Sequence, residues 1–135
     1  MVYAVIDTNI FVSAFITKNA TALTRRVINS LFAGKIKPLY NDEIIEEYSE
    51  VLHRSKFHLA DKDIQRLLYF IQINGIDSSR FPYDGYMPDE DDRVFYEVAL
   101  SEEDSFLVTG NLKHFPKTPK VVTASQMMEI LDYGE

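Results

Sequence analysis

A run of small, β-branched and aromatic residues, Val2-Tyr3-Ala4-Val5-Ile6, stops at a carboxylate, Asp7, and apolar sequence resumes at Ile10-Phe11-Val12. An apolar run without polar alternation is the pattern of a strand covered on both faces, the habit of parallel sheets. The carboxyl ends of such strands border the crevice where open α/β sheets hold their ligands. A chain that opens this way is constrained to alternate strands with helices, and Asp7 belongs at the working edge of the sheet.

The rest of the chain continues the alternation. Residues 10–16 read as a short apolar helix. Residues 22–33 carry apolar side chains at Leu23, Val27, Ile28, Leu31 and Phe32, a helical stripe that Gly34 stops. Residues 36–40 read as a strand, and Asn41 or Asp42 caps a helix over 43–54. A further helix spans 61–74, with Asp61 near its start and Asn74-Gly75 at its end. Residues 76–77 are a weak strand, and 78–88 form a loop punctuated by Pro82, Gly85 and Pro88. A helix over 90–101, a strand over 106–109 and a last strand at 121–122 follow, and Thr123 or Ser125 caps a final helix over 124–132. Strands alternating with helices imply a three-layer α/β/α sandwich around a central parallel sheet. No repeat or linker interrupts residues 1–135, so one domain is expected.

Composition narrows the class. A hydrophobic content of 46% is too high for a disordered chain. No run of about eighteen apolar residues is available to span a membrane. The first strand begins at once, so no leader is expected, and a cytoplasmic protein fits. The absence of cysteine removes disulfides, thiol catalysis and zinc–thiolate sites. The net charge of −7 argues against a phosphate-backbone partner, but the excess is local. Residues 84–104 hold nine acids and one base, Arg93, while the remainder is close to neutral. A local acidic cluster is either a solvated surface or a cation site, and a bound cation inverts the local field.

Three features supply that cluster beside Asp7. In helix 43–54 the stripe Ile44, Ile45, Tyr48, Val51 and Leu52 leaves Glu46 and Glu50 on the far side, and Glu47 on the flank. Glu47 either leans over a pocket or simply reaches water. Asp89-Glu90-Asp91-Asp92 opens the next helix, where capping and the helix dipole account for one or two acids. Four in succession require solvent, a basic partner or a metal ion. The strand Phe106-Leu107-Val108 ends in Thr109-Gly110-Asn111, which offers a hydroxyl and an amide to the same edge or forms an ordinary Asx turn. Carboxylates without histidine or cysteine make a hard oxygen site suited to Mg²⁺ or Mn²⁺. Such an ion suits phosphodiester hydrolysis.

The ordered set Asp7-Thr8-Asn9, Glu47-Tyr48, Asp89-Glu90-Asp91-Asp92 with Phe95-Tyr96-Glu97-Val98-Ala99, and Leu107-Val108-Thr109-Gly110-Asn111 resembles the PIN-domain nucleases over nearly the whole chain. The resemblance is strongest to bacterial and archaeal members assigned as toxins of toxin–antitoxin pairs. It implies a Mg²⁺- or Mn²⁺-dependent endoribonuclease in which Asp7, Glu47 and Asp92 are catalytic metal ligands. Asn9, Asp89 and Thr109 would be auxiliary. Asn111 falls where many PIN enzymes carry a fourth aspartate, so it would add a ligand oxygen without charge. RNA is the implied substrate, and an antitoxin protein and a second copy of the chain are the candidate partners.

Other readings compete. A degenerate PIN scaffold would bind RNA or protein without cleaving. A phosphoacceptor receiver domain needs paired acids after strand one, and Asp7 stands alone. A haloacid-dehalogenase-type phosphatase needs an aspartate where Asn9 stands. A dinucleotide-binding domain needs a glycine-rich fingerprint that is absent. For contact with RNA the sequence offers Arg25, Arg26, Lys35 and Lys37, and Lys113, His114, Lys117 and Lys120 after the Asn111 turn.

Overall fold

The computed structural model describes residues 1–133. Five parallel strands form one sheet: β1 (Val2–Ile6), β2 (Ile36–Tyr40), β3 (Ile76–Asp77), β4 (Phe106–Val108) and β5 (Val121–Val122), in the order β3-β2-β1-β4-β5. Six helices flank it: α1 (Thr8–Ile16), α2 (Leu23–Phe32), α3 (Asp42–Leu52), α4 (Asp61–Asn74), α5 (Arg93–Leu100) and α6 (Ala124–Tyr133). The result is the three-layer sandwich expected from the alternation. Helix α2 packs against α1 and α6, and α3 against α4 and α5. Among the described residues, no helix is long and apolar enough to cross a membrane.

Local chemistry explains most boundaries. The Asn41 side chain, not that of Asp42, accepts the Ile44 N–H at 2.9 Å and starts α3. Thr123 and Gln126 satisfy each other's backbone N–H groups at 3.1 and 2.8 Å, a reciprocal cap for α6. Gly75 ends α4 where a Cβ would stand 2.5 Å from the carbonyl oxygens of Ile71 and Pro38, so only glycine lets the chain pass between α4 and β2. Among the helix starts, two differ most from the sequence expectation. Helix α1 begins at Thr8 rather than Ile10, because Asp7 itself is the N-cap residue. The expected helix over 90–101 is a 3₁₀ turn, Glu90–Asp92, followed by α5, because Asp89 accepts the Asp91 N–H and tightens the first turn.

Two bases offered by the sequence for RNA contact are structural instead. Arg25 donates from Nε to the Ala14 carbonyl at 3.0 Å and closes the end of α1. Lys120 donates from Nζ to the carbonyls of Glu102, Glu103 and Ser105 at 2.9, 3.1 and 2.7 Å. It ties together the carbonyls of the turn that follows α5. Lys120→Met is expected to destabilise the fold by about 1–2 kcal/mol, the range for lost charged hydrogen bonds partly replaced by water. Urea denaturation measures this, and an unchanged midpoint would show that the lysine is an ordinary surface charge.

Candidate active site

β1 and β4 are adjacent and in register, Ile6 opposite Val108. The residues that follow them, Asp7 and Thr109, therefore emerge side by side. The strand order reverses at this point, with β2 and β3 on one side of β1 and β4 and β5 on the other. Such a switch point opens a crevice at the carboxyl ends of the strands. The Asp7 N–H extends the ladder to the Val108 carbonyl at 2.9 Å. The Thr109 hydroxyl donates to Asp7 Oδ2 at 2.7 Å and accepts the Asn111 N–H at 3.0 Å. Asp7 is 6% exposed and Thr109 fully buried. Burial raises the Asp7 pKa above its ordinary value, while the Thr109 hydroxyl, the N–H groups of Thr8 and Asn9 and the nearby His114 offset part of the rise.

Glu47 reaches the same edge from α3. Its neighbours Ile44, Tyr48 and Val51 are buried, Glu46 and Glu50 are exposed, and Glu47 is half-buried between them. The Tyr48 hydroxyl donates to the carbonyl of Ile6, the last residue of β1, and its ring meets Phe11 edge-on at 5.0 Å. The helix is thus fastened to the strand that delivers Asp7. Thr8 Oγ1 donates to Glu47 Oε2 at 3.2 Å. Burial raises the Glu47 pKa first, Thr8 opposes, and the negative charges of Glu50 and Asp7 add to the rise.

Asp92 arrives from the turn before α5. Burial pushes its pKa up to about 6, reinforced by Asp7, Asp89 and Glu47 and opposed by His114. His114 Nδ1 lies 3.5 Å from Asp92 Oδ2. The other three acids of the run are exposed. Asp89 accepts the Asp91 N–H, Glu90 pairs with Arg93 at 2.7 Å, and Asp91 is exposed. Asp7, Glu47 and Asp92 thus come from three different elements, and the charges of Asp7 and Glu47 both act on Asp92.

Asn111 is exposed, and its Oδ1 accepts the Lys113 N–H at 3.2 Å, an Asx turn that opens the 3₁₀ turn Leu112–His114. Asn9 is also exposed. Two features escaped the sequence reading. One is Thr8 as a link between the strand-end turn and Glu47, since a threonine inside a motif gives no sign of its partner. The other is Glu97, which is buried and bonded to Arg80. Its signal was legible: an acid set among Val94, Phe95, Tyr96, Val98 and Ala99 cannot face water without turning that apolar face outward.

The donor set is all oxygen, and the like charges of Asp7 and Glu47 add to the rise at Asp92, as that of Asp7 does at Glu47. That chemistry fits a hard divalent ion. The side-chain positions do not themselves enclose one: among the described residues, no group of three or more His, Cys, Asp or Glu side chains is arranged to hold a metal ion. No curated protein matches the chain. Residues 3–113 match a family model described as PIN domain, a span that runs from β1 through Asp7, Glu47, Asp92 and Asn111, and the chain therefore belongs to the PIN-domain family, whose fold is that of nucleases that generally depend on metal.

Proposed function

We propose that the chain is a Mg²⁺- or Mn²⁺-dependent endoribonuclease in which Asp7, Glu47 and Asp92 hold the metal and carry catalysis. Asn111 stands beside them, and Asn9, Asp89 and Thr109 are auxiliary. The observation that carries this reading is the convergence at the switch point of Asp7, buried beside a hydroxyl donor, with Glu47 and Asp92, whose carboxyl feels the charge of both. A divalent ion held by these carboxylates would supply an activated water and offset the negative charge that develops on the phosphoryl oxygens. Thr109 keeps Asp7 oriented, with its proton committed to Oδ2. Thr8 restrains Glu47. His114 Nδ1 lies against the Asp92 carboxyl, and Lys113 and Lys117 give the segment after Asn111 a positive edge for RNA phosphates. The test is cleavage of single-stranded RNA with Mg²⁺ or Mn²⁺, compared with chelator and with Asp7→Ala. Cleavage that survives both controls contradicts the reading.

The proposed setting is a toxin of a toxin–antitoxin pair, a single domain over residues 1–135 acting in the cytoplasm, with an antitoxin or a second copy as protein partner. Growth arrest on expression, relieved by the product of a neighbouring gene, is the expected result.

Asn111 favours a second reading, a scaffold that binds without cleaving, because its amide oxygen already serves the Asx turn. Asn111→Asp separates the two. Aspartate can still accept the Lys113 N–H, and it adds a negative charge at the edge of the site. As a ligand position, it tightens Mn²⁺ binding about fivefold to tenfold, or about 1 kcal/mol. As a turn residue alone, it leaves calorimetric Mn²⁺ affinity unchanged.

A further inference from the structure

Arg80 lies in the loop between β3 and the turn before α5. Its Nε donates to Glu97 Oε1 at 2.7 Å, and its Nη1 donates to both oxygens of Glu43, at 3.1 and 2.9 Å. Glu43 sits on α3 one turn before Glu47, and Glu97 sits on α5 five residues beyond Asp92. One guanidinium thus bonds both helices that deliver acids to the site. Its hold on α5 is firm: Glu97 is 7% exposed, and its second oxygen accepts the Tyr83 N–H at 2.8 Å.

The space between the two helices needs such a tie. A cleft of about 350 Å³ lies there, lined by the four glutamates of α3 and by Glu90 and Asp91 from the opposite wall. Arg80 is the single base among its lining residues. Glu90 is paired with Arg93 and Glu50 lies near Arg54, and the like charges that remain on the two walls push α3 and α5 apart. The planar fork of arginine can bond two carboxylates in fixed directions at once, which a lysine cannot reproduce.

We propose that Arg80 is a positioning residue for the acidic site, setting the separation of Glu47 and Asp92 by clamping α3 to α5 through Glu43 and Glu97. The inference rests on the metal reading above. It is distinct from a simple charge effect, and the two have opposite signs. As a mere positive charge near the acids, Arg80 repels a cation, so its removal tightens metal binding. As a clamp, its removal loosens the spacing and weakens binding.

Calorimetric titration of Mn²⁺ into the intact chain tests this, with wild type, Arg80→Gln, Arg80→Lys and Asp7→Asn compared below their melting temperatures. The clamp predicts that both Arg80 variants raise the Mn²⁺ Kd about tenfold, the scale of lost support around metal ligands. The lysine variant is the sharper of the two, because it keeps the charge and loses only the fork. Affinity in Arg80→Gln equal to or tighter than wild type overturns the clamp. Should Arg80→Gln fail to fold, an unchanged Kd in Arg80→Lys overturns it alone. Wild type that binds Mn²⁺ no better than Asp7→Asn overturns the metal reading and the clamp together, and that pattern is distinguishable from failure of the clamp alone.

Discussion

Replacing Asp7 with asparagine lowers RNA cleavage by about a thousandfold or more, about 4 kcal/mol in the barrier, while the metal-free fold becomes no less stable at neutral pH. The first effect follows from loss of the most buried charged oxygen at the switch point. The second follows from the raised pKa of that carboxyl. A carboxyl whose folded pKa lies above its unfolded value favours folding only while protonated, and at neutral pH its ionised form opposes folding. Asparagine removes the buried charge and still offers an oxygen to the Thr109 hydroxyl. Labelled single-stranded RNA with Mn²⁺ reads the rate, and thermal melting with chelator reads the stability. A variant that cleaves at the wild-type rate, or that melts well below wild type, contradicts this account of Asp7.

The second large effect is a reversal of the pH dependence of stability by metal. In the metal-free protein, Asp92 has a pKa of about 6 against an ordinary value of 3.8. Its favourable contribution is complete below about pH 4 and is lost as pH rises through 6. The shift amounts to about 1 kcal/mol after discounting for its partial contact with solvent. Asp7 and Glu47 act in the same direction. The metal-free melting temperature is therefore expected to fall between pH 5 and pH 7, and Asp92→Asn flattens that fall. A divalent ion competes with protons for the same oxygens, so with millimolar Mn²⁺ the protein gains stability as pH rises over this window. Two parallel profiles, with and without Mn²⁺, would show that the acids form a solvated surface rather than a shared ion site.

Much of this arrangement was legible in the residues because burial leaves a plain pattern. The run before Asp7 and the run before Thr109 are apolar without alternation, and each ends where the other does, since parallel strands in register share an edge. The stripe of α3 placed Glu47 on its flank, and the structure finds it half-buried while Glu46 and Glu50 face water. The acid run 89–92 was visible as a cluster from which the resemblance singled out Asp92, and the path of the turn supplies the physical difference, half-burying Asp92 while residues 89–91 stay exposed. The roles of the bases were not legible. Arg25 and Lys120 look like surface charge in sequence, yet Arg25 holds a carbonyl left open by the end of α1 and Lys120 the carbonyls of the turn after α5, partners that only the folded path brings to them. Arg80 was invisible as a clamp because its partners lie 37 and 17 residues away along the chain. The turn at Asn111 shows the same limit: its Asx geometry and its place beside the acids are both compatible with one short polar side chain.

If Asp7, Glu47 and Asp92 share one divalent ion, diffraction at the manganese absorption edge from crystals grown with Mn²⁺ locates it among them. The expected result is an anomalous peak bounded by oxygens of these three residues, at about 2–2.6 Å, the range of hard-cation oxygen ligands. A peak held instead by the glutamates of the cleft between α3 and α5, or no peak at the switch point at saturating Mn²⁺, would contradict it.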